Sequence, residues 1–247
     1  MGTLIVTGGS RGIGAEIARR AATAGYTVCL TYHNNPSAAD TVVGGIEASG
    51  GTALAVRVDI AVEEDILNLF KTVDAELPPL KALVNNAGIL ETHGSIEDMT
   101  FDRLQRVLTT NVTGSFICAR EAVLRMSKKH GGEGGGIVNI SSAAARMGSP
   151  HEYIDYAASK GAIDTFTIGL SKELAEQGIR VNAVRPGVIY TDIHALGGEP
   201  GRVDRVKENV PMKRGGEPRE VADAALWLLS DAASYVTGAL LDVSGGR

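Results

Sequence analysis

The sequence predicts an α/β fold: a single domain in which a parallel sheet is covered by helices on both faces. Short apolar, β-rich runs alternate with longer helical patterns along the chain, which implies right-handed crossovers between parallel strands. Runs such as Ile137-Val138-Asn139-Ile140 lack the polar alternation of a half-exposed strand, so those strands are buried on both faces. The 31 glycines, set against only 8 prolines, point to tight turns and close backbone approaches rather than to linkers.

Taken in order, strands are expected near 3–7, 27–32, 53–58, 82–85, 136–141, 180–185 and 239–243. Helices are expected between them, near 12–24, 37–49, 62–76, 101–129, 155–177 and 218–230. No repeat or interdomain linker interrupts residues 1–247. The glycine-rich stretch Gly131 to Gly136 leads from a helix into a strand, which places it at the N-terminal edge of the sheet, away from ligands. The irregular stretch 191–217 follows the sixth strand and lies at the opposite, carboxyl edge. It carries Gly197, Gly198, Gly201, Gly215 and Gly216 and is a candidate substrate lid.

Composition narrows the function. With 44% apolar and 21% charged residues, the chain buries a core without disulfide or metal staples. A formal net charge of −5 argues against nucleic acid or an anionic membrane as the main partner. No stretch approaches about 18 uninterrupted apolar residues, so no membrane span is expected. Cys29 and Cys118 sit in apolar runs and fit a reducing cytoplasm. No residue spacing suggests a metal site. A small-molecule substrate is therefore expected.

The first strand runs into Thr7-Gly8-Gly9-Ser10-Arg11-Gly12-Ile13-Gly14. Glycines there let the backbone approach a pyrophosphate, and the following helix offers free N–H groups and a positive dipole end. The second strand ends Leu30-Thr31-Tyr32-His33-Asn34-Asn35, without the carboxylate that holds the adenosine ribose hydroxyls in NAD enzymes. Arg11, helped by His33 and Asn34, can instead meet a 2′-phosphate. NADP(H) is thus favoured, with NAD(H) as the alternative. Strand three ends at Asp59-Ile60 and strand four at Asn85-Asn86-Ala87-Gly88, both on the same sheet edge. Tyr156 and Lys160 lie four apart on a predicted helix and share a face. An ammonium beside a phenol lowers its pKa and makes it a general acid for carbonyl reduction, or a base for alcohol oxidation. Ser142, at the end of strand five, can polarise the substrate oxygen beside Tyr156. No G-x-S-x-G elbow surrounds it, which disfavours a hydrolase.

Together these residues resemble the short-chain dehydrogenase/reductase family over essentially the whole chain. Thr7 to Gly14, Asn85 to Gly88, Asn111, Ser142, Tyr156, Lys160 and Pro186-Gly187 occur in the family's order. The resemblance implies one Rossmann-type, doubly wound parallel sheet of seven strands and nicotinamide-dependent hydride transfer. It implies Tyr156 as proton donor or acceptor, and Lys160 lowering its pKa and holding the nicotinamide ribose. Ser142 would orient the carbonyl, and Asn111 would support a proton-relay water near Lys160. Gly8, Ser10, Arg11, Ile13, Asp59, Ile60, Asn86, Lys160, Ile189 and Thr191 match cofactor-contact positions, and Pro186, Gly187 and the run to Thr191 would cradle the carboxamide. Ser142 stands further from Tyr156 than is usual in the family, which leaves Ser141 as the alternate. The intervening loop, with His151, Glu152 and Tyr153, is expected to shape the substrate pocket.

The nearest likeness is to 3-oxoacyl-carrier-protein reductases and to sugar or alcohol dehydrogenases. Lys128 and Lys129 suit an acidic carrier, but Glu173, Glu176 and Gln177 do not. The reading is therefore an NADP(H)-dependent oxidoreductase of small carbonyl or alcohol substrates, with 3-oxoacyl thioester reduction or sugar oxidation as alternatives. A non-catalytic dinucleotide sensor would not need Ser142, Tyr156 and Lys160 together. The resemblance also suggests a homotetramer built on helices 101–129 and 155–177, the second carrying the apolar stripe Ile163, Phe166, Leu170 and Leu174.

Overall fold

The computed structural model describes residues 1–247. Its elements, in chain order, are β1 (Thr3–Val6), α1 (Gly12–Thr23), β2 (Thr27–Tyr32), α2 (Pro36–Ala48), β3 (Ala53–Arg57), α3 (Glu63–Glu76), β4 (Leu80–Asn85), α4 (Phe101–Leu108), α5 (Gly114–Met126), β5 (Gly135–Ile140), α6 (Ala144–Met147), α7 (Ile154–Leu174), β6 (Ile179–Pro186), α8 (Ile193–Leu196), α9 (Arg202–Val206), α10 (Pro218–Leu229) and β7 (Leu240–Val243). The strands form one sheet in the order β3-β2-β1-β4-β5-β6-β7. Every pairing is parallel. The strand order reverses between β1 and β4, and a sheet of this kind opens a ligand crevice beyond its carboxyl ends at that switch point.

The pleat divides each central strand between two cores. Leu4, Val6, Val28, Leu30 and Val138 face the core under α1, α2 and α10. Their neighbours Ile5, Cys29 and Ile137 face the core under α3, α5 and α7. This explains the unbroken apolar runs, since both strand faces are buried. Burial also pushes the Cys29 thiol up to about 12 and Cys118 higher still, so both behave as small apolar residues.

Two regions differ from the sequence reading. The single helix expected over 101–129 is α4 and α5 joined by a wide π turn, Thr109–Thr113. That turn brings Asn111 inward, where its amide clasps Ile89: Oδ1 accepts from Ile89 N at 2.8 Å and Nδ2 donates to Ile89 O at 3.0 Å. The second helix ends at Leu174, followed by one 3₁₀ turn. Its apolar stripe is mostly the protein's own core face, since Ile163 and Leu174 are fully buried and Phe166 and Leu170 pack on the same core. The stretch 131–134 sits at the N-terminal edge as expected, with Gly135 N donating to Gly178 O at 3.1 Å. The stretch 191–217 contains α8 and α9.

Candidate active site

The cofactor loop is built by backbone. Gly8 and Gly12 adopt φ of +64° and +52°, a region that costs any residue with a Cβ. A Cβ on Gly14 would lie 2.3 Å from Gly8 O, so the first turn of α1 can close on the loop only as glycine. Asn86 locks this arrangement from β4. Its Nδ2 donates to Thr7 O and Gly8 O at 2.9 and 3.0 Å, and Thr7 Oγ1 accepts from Asn86 N and Ala87 N. Ser10 and Arg11 lie at the rim, and the exposed Arg11 side chain takes no part in capping α1. The geometry fits a dinucleotide phosphate pair: glycine-lined backbone at a helix N-terminus, with free N–H groups.

At the end of β2, His33 and Asn34 are exposed. The fold brings Asp59 beside them, its Oδ2 3.5 Å from His33 Nε2. The carboxylate missing from β2 is therefore supplied to the neighbourhood by the chain after β3. The adjoining Ile60 is buried, and its carbonyl leaves no room for a Cβ on Gly114.

One cleft of about 360 Å³ gathers Ile13, Asn86, Gly88, Ser142, Tyr156, Lys160, Pro186, Gly187, Ile189 and Thr191. The remaining expected cofactor residues, Gly8, Ser10, Arg11, Gly12, Gly14, His33, Asn34, Asp59, Ile60 and Ala87, lie outside its lining. Gly12 touches it through Thr191, 3.3 Å from where a Cβ would stand. Asn111 is buried behind Gly88: a Cβ there would meet Asn111 Oδ1 at 3.2 Å and Lys160 Nζ at 3.7 Å.

Ser141 and Ser142 part company. Ser141 Oγ donates to Asp164 Oδ1 at 2.7 Å and is thereby occupied in the α7 packing. Ser142 lines the cleft with Tyr156, its Oγ accepting from Ala144 N at 3.1 Å, and its hydroxyl draws the Tyr156 pKa down. Burial dominates all the same and pushes Tyr156 up to about 12. Lys160 Nζ donates to Ile140 O at 2.8 Å and lies 5.5 Å from the Tyr156 ring centroid. Burial pushes Lys160 down to about 8. The expected lowering of the phenol by Lys160 does not enter: burial raises it and the groups that oppose burial are Ser142 and Arg202, while the ammonium is turned to a carbonyl.

The start of α7 is fixed by a buried ion pair that sequence reading missed. Arg103 Nε meets Asp155 Oδ2 at 2.7 Å, and Asp155 Oδ1 accepts from Tyr156 N at 2.9 Å. The only local signal is an aspartate directly before Tyr156.

The other wall is made by side chains. Ser149 and His151 hold φ of +44° and +61°, a strained loop geometry that turns Ser149, Pro150, Glu152 and Tyr153 into the cleft while His151 stays exposed outside it. From the opposite side come His194 on α8 and Arg202 on α9. Arg202 Nη2 meets Glu152 Oε2 at 2.5 Å and the guanidinium lies 4.8 Å from the Tyr153 ring centroid. Arg205 adds a second bond to Glu152 at 2.9 Å. His194 Nε2 is 2.9 Å from Ile189 O, so it carries the proton, and burial keeps the ring neutral by pushing its pKa down. Its Nδ1 is buried with no partner. Sequence reading missed His194 and Arg202, because nothing in 191–217 marks which residues turn inward, and it missed Arg247, which reaches the same cleft from beyond β7.

Residues 8–247 match the family model described as enoyl-(acyl carrier protein) reductase. The chain is 59% identical over 247 residues, the whole of both chains, to the uncharacterized oxidoreductase YgfF of Escherichia coli. It is 40% identical over 245 residues to glucose 1-dehydrogenase 2 of Bacillus subtilis, covering 99% of this chain and 93% of that one. It superposes with a TM-score of 0.89 at 34% identity on a short chain dehydrogenase from Burkholderia cenocepacia solved in complex with NADP, covering 98% of this chain and 96% of the other. The chain belongs to the short-chain dehydrogenase/reductase family and is an alcohol/carbonyl oxidoreductase.

Proposed function

We propose that this oxidoreductase reduces a small carbonyl compound, or oxidises the matching alcohol, with NADP(H), using Tyr156 as the proton donor or acceptor. The observation that carries the reading is one cleft holding Ser142, Tyr156 and Lys160 beside the glycine loop. When bound, the nicotinamide supplies or accepts the hydride. In reduction, Ser142 Oγ and the Tyr156 hydroxyl hydrogen-bond the carbonyl oxygen. The buried phenol, at about 12, is fully protonated at neutral pH and gives up its proton as negative charge grows on that oxygen. Lys160, cationic below about 8, stabilises the phenolate left behind and would hold the nicotinamide ribose, with Asn111 supporting proton return behind Gly88. Pro186, Gly187, Ile189 and Thr191 would receive the carboxamide. Residues 191–217, clamped by Glu152, would serve as the lid.

NADP(H) rather than NAD(H) is supported by the exposed Arg11 and by the NADP held in the Burkholderia cenocepacia relative. Asp59, drawn to His33 at 3.5 Å, is balanced by that imidazole when protonated. Thioester reduction is the second reading, favoured by the description of the matching family model. A tetramer would use the exposed Phe116, Leu124 and Ile168 of α5 and α7, with Phe116 stacked on Phe166 at 3.7 Å.

The test is Tyr156→Phe with initial rates of NADPH oxidation on an α-diketone and an acetoacetyl thioester. Turnover should fall on the order of 10³-fold, within the range of general acid–base effects, while the Kd for NADPH changes less than threefold. Undiminished turnover would reject the role of Tyr156. Preference for NADH would reject that of Arg11.

A further inference from the structure

The charges lining the cleft do not balance. Lys160, Arg202 and Arg247 are cationic, and Glu152 alone is a carboxylate. Lys160 is turned to Ile140 O. Arg202 is nine-tenths buried and takes up Glu152 at 2.5 Å, with Glu199 at 3.5 Å. Arg205 shares both of those carboxylates. Arg202 and Arg205 therefore take up both carboxylates, and neither carboxylate is paired with the guanidinium of Arg247.

Arg247 is the one left over. Its backbone carbonyl is held by Arg146 and Ser244, but its guanidinium has neither a hydrogen bond nor an ion pair. Partial burial and the charges of Arg202 and Arg205 push its pKa down, with only Glu152 opposing. Arg247 also borders a second cavity. There the cations are matched, Arg146 by Asp242 at 3.3 Å and Arg214 by Glu220 at 2.6 Å. The charges that act on Arg247 are those of Arg202, Arg205 and Glu152, the groups of the cleft and its rim, so the uncompensated charge belongs to the cleft. A partly buried cation without a partner is costly, and a fork of donors suits a carboxylate or phosphate. The charge of Arg202 also reaches the Tyr156 hydroxyl, so the anion site and the proton donor share one space.

We infer that the substrate carries its own anionic group, a carboxylate or phosphate, which Arg247 binds with Arg202 while the carbonyl lies at Ser142 and Tyr156. The inference rests on the carbonyl-reductase reading of the same cleft. It excludes plain alkanals, diketones and unmodified sugars as best substrates.

Matched pairs test it: 4-oxobutanoate against butanal, and glyceraldehyde 3-phosphate against glyceraldehyde, each with NADPH, in the native enzyme and in Arg247→Met. The anionic member of at least one pair should show a kcat/KM at least tenfold higher, mostly through KM. That ratio should collapse towards one in Arg247→Met and shrink in 0.5 M KCl, about the effect expected when a charge pair is screened. The pair that responds tells carboxylate from phosphate. Equal or better use of both neutral members overturns the inference and leaves carbonyl reduction standing. If none of the four is reduced, the inference is decided by calorimetry of succinate and of inorganic phosphate on the NADPH-loaded enzyme. Binding of either that weakens at least tenfold in Arg247→Met supports it. Absent binding, or binding indifferent to that substitution, overturns it.

Discussion

The two walls of the cleft are built by opposite means. The wall at α1 is shaped by the backbone loop behind its lining residues Ile13, Asn86 and Gly88: glycines at positive φ, a helix N-terminus, and Asn86 tying Thr7 and Gly8 to β4. Few side chains decide its shape. The wall at α8 and α9 is side chain throughout: Glu152, Arg202, Tyr153 and His194 from two loops, joined by ion pairs across about fifty residues of sequence. It keeps groups without partners, His194 Nδ1 and the Arg247 guanidinium. A wall of satisfied backbone suits a ligand of fixed chemistry. A wall with spare donors, acceptors and charge suits a ligand that must be told apart from similar molecules.

The largest effect is expected of Arg103→Met, on α4 behind the side-chain wall. It leaves Asp155 charged, buried and unpaired, which typically costs about 3–5 kcal/mol. Thermal unfolding should fall by roughly 10 °C for a chain of this size, with turnover lowered because Asp155 also holds Tyr156 N. A change under about 2 °C would show that α7 is placed by other contacts. Next is Lys160→Met. Burial holds Lys160 below its ordinary value, so from about 8 up to the ordinary lysine range the folded state binds fewer protons than the unfolded one. Stability from this group therefore rises with pH across that window, and below it the buried ammonium costs about 3 kcal/mol at most. The substitution should raise the melting temperature at pH 7, flatten its rise with pH and abolish turnover. In the native enzyme, kcat/KM for NADPH should fall above about pH 8 as the same ammonium is lost.

On the backbone wall, Gly14→Ala should weaken NADPH binding by at least tenfold, because its Cβ would meet Gly8 O at 2.3 Å and a backbone carbonyl cannot swing aside. Titration of NADPH fluorescence measures this. Unchanged affinity would mean that the loop has slack. The smallest effect is expected of His194→Phe. The substitution removes the orphaned Nδ1 and also the Nε2 bond to Ile189 O, so the two nearly offset and stability should change by less than about 1 kcal/mol, read as the denaturant midpoint. It should raise KM for hydroxylated substrates more than it lowers kcat. A larger destabilisation would show that the Nε2 bond to Ile189 O outweighs the orphaned nitrogen.

The backbone wall was legible in the sequence because its signals are local. Gly8 and Gly12 announce a conformation that few other residues reach, Gly14 a close approach of helix and loop, and Tyr156 and Lys160 a shared helix face through spacing alone. The side-chain wall was not. Arg202 and Glu152 are ordinary charged residues until the fold sets them 2.5 Å apart, and Arg103 reaches Asp155 from another helix. The π turn at Thr109–Thr113 was equally hidden, since an extra residue in a helix leaves the apolar period nearly intact.

The alternation of strands and helices, the parallel sheet and the residues at its carboxyl edge were carried by the order of residues alone. Those follow from periodicity, glycine placement and short-range spacing, which the chain carries wherever it goes. The electrostatics of the cleft arose only with folding. Asp59 came to His33 although the second strand ends without a carboxylate. Tyr156 and Lys160 were shifted chiefly by burial, and the Arg247 guanidinium was left without an ion-pair partner. Desolvation and charge pairing depend on which groups share a space, and that is settled only when the chain has closed around them.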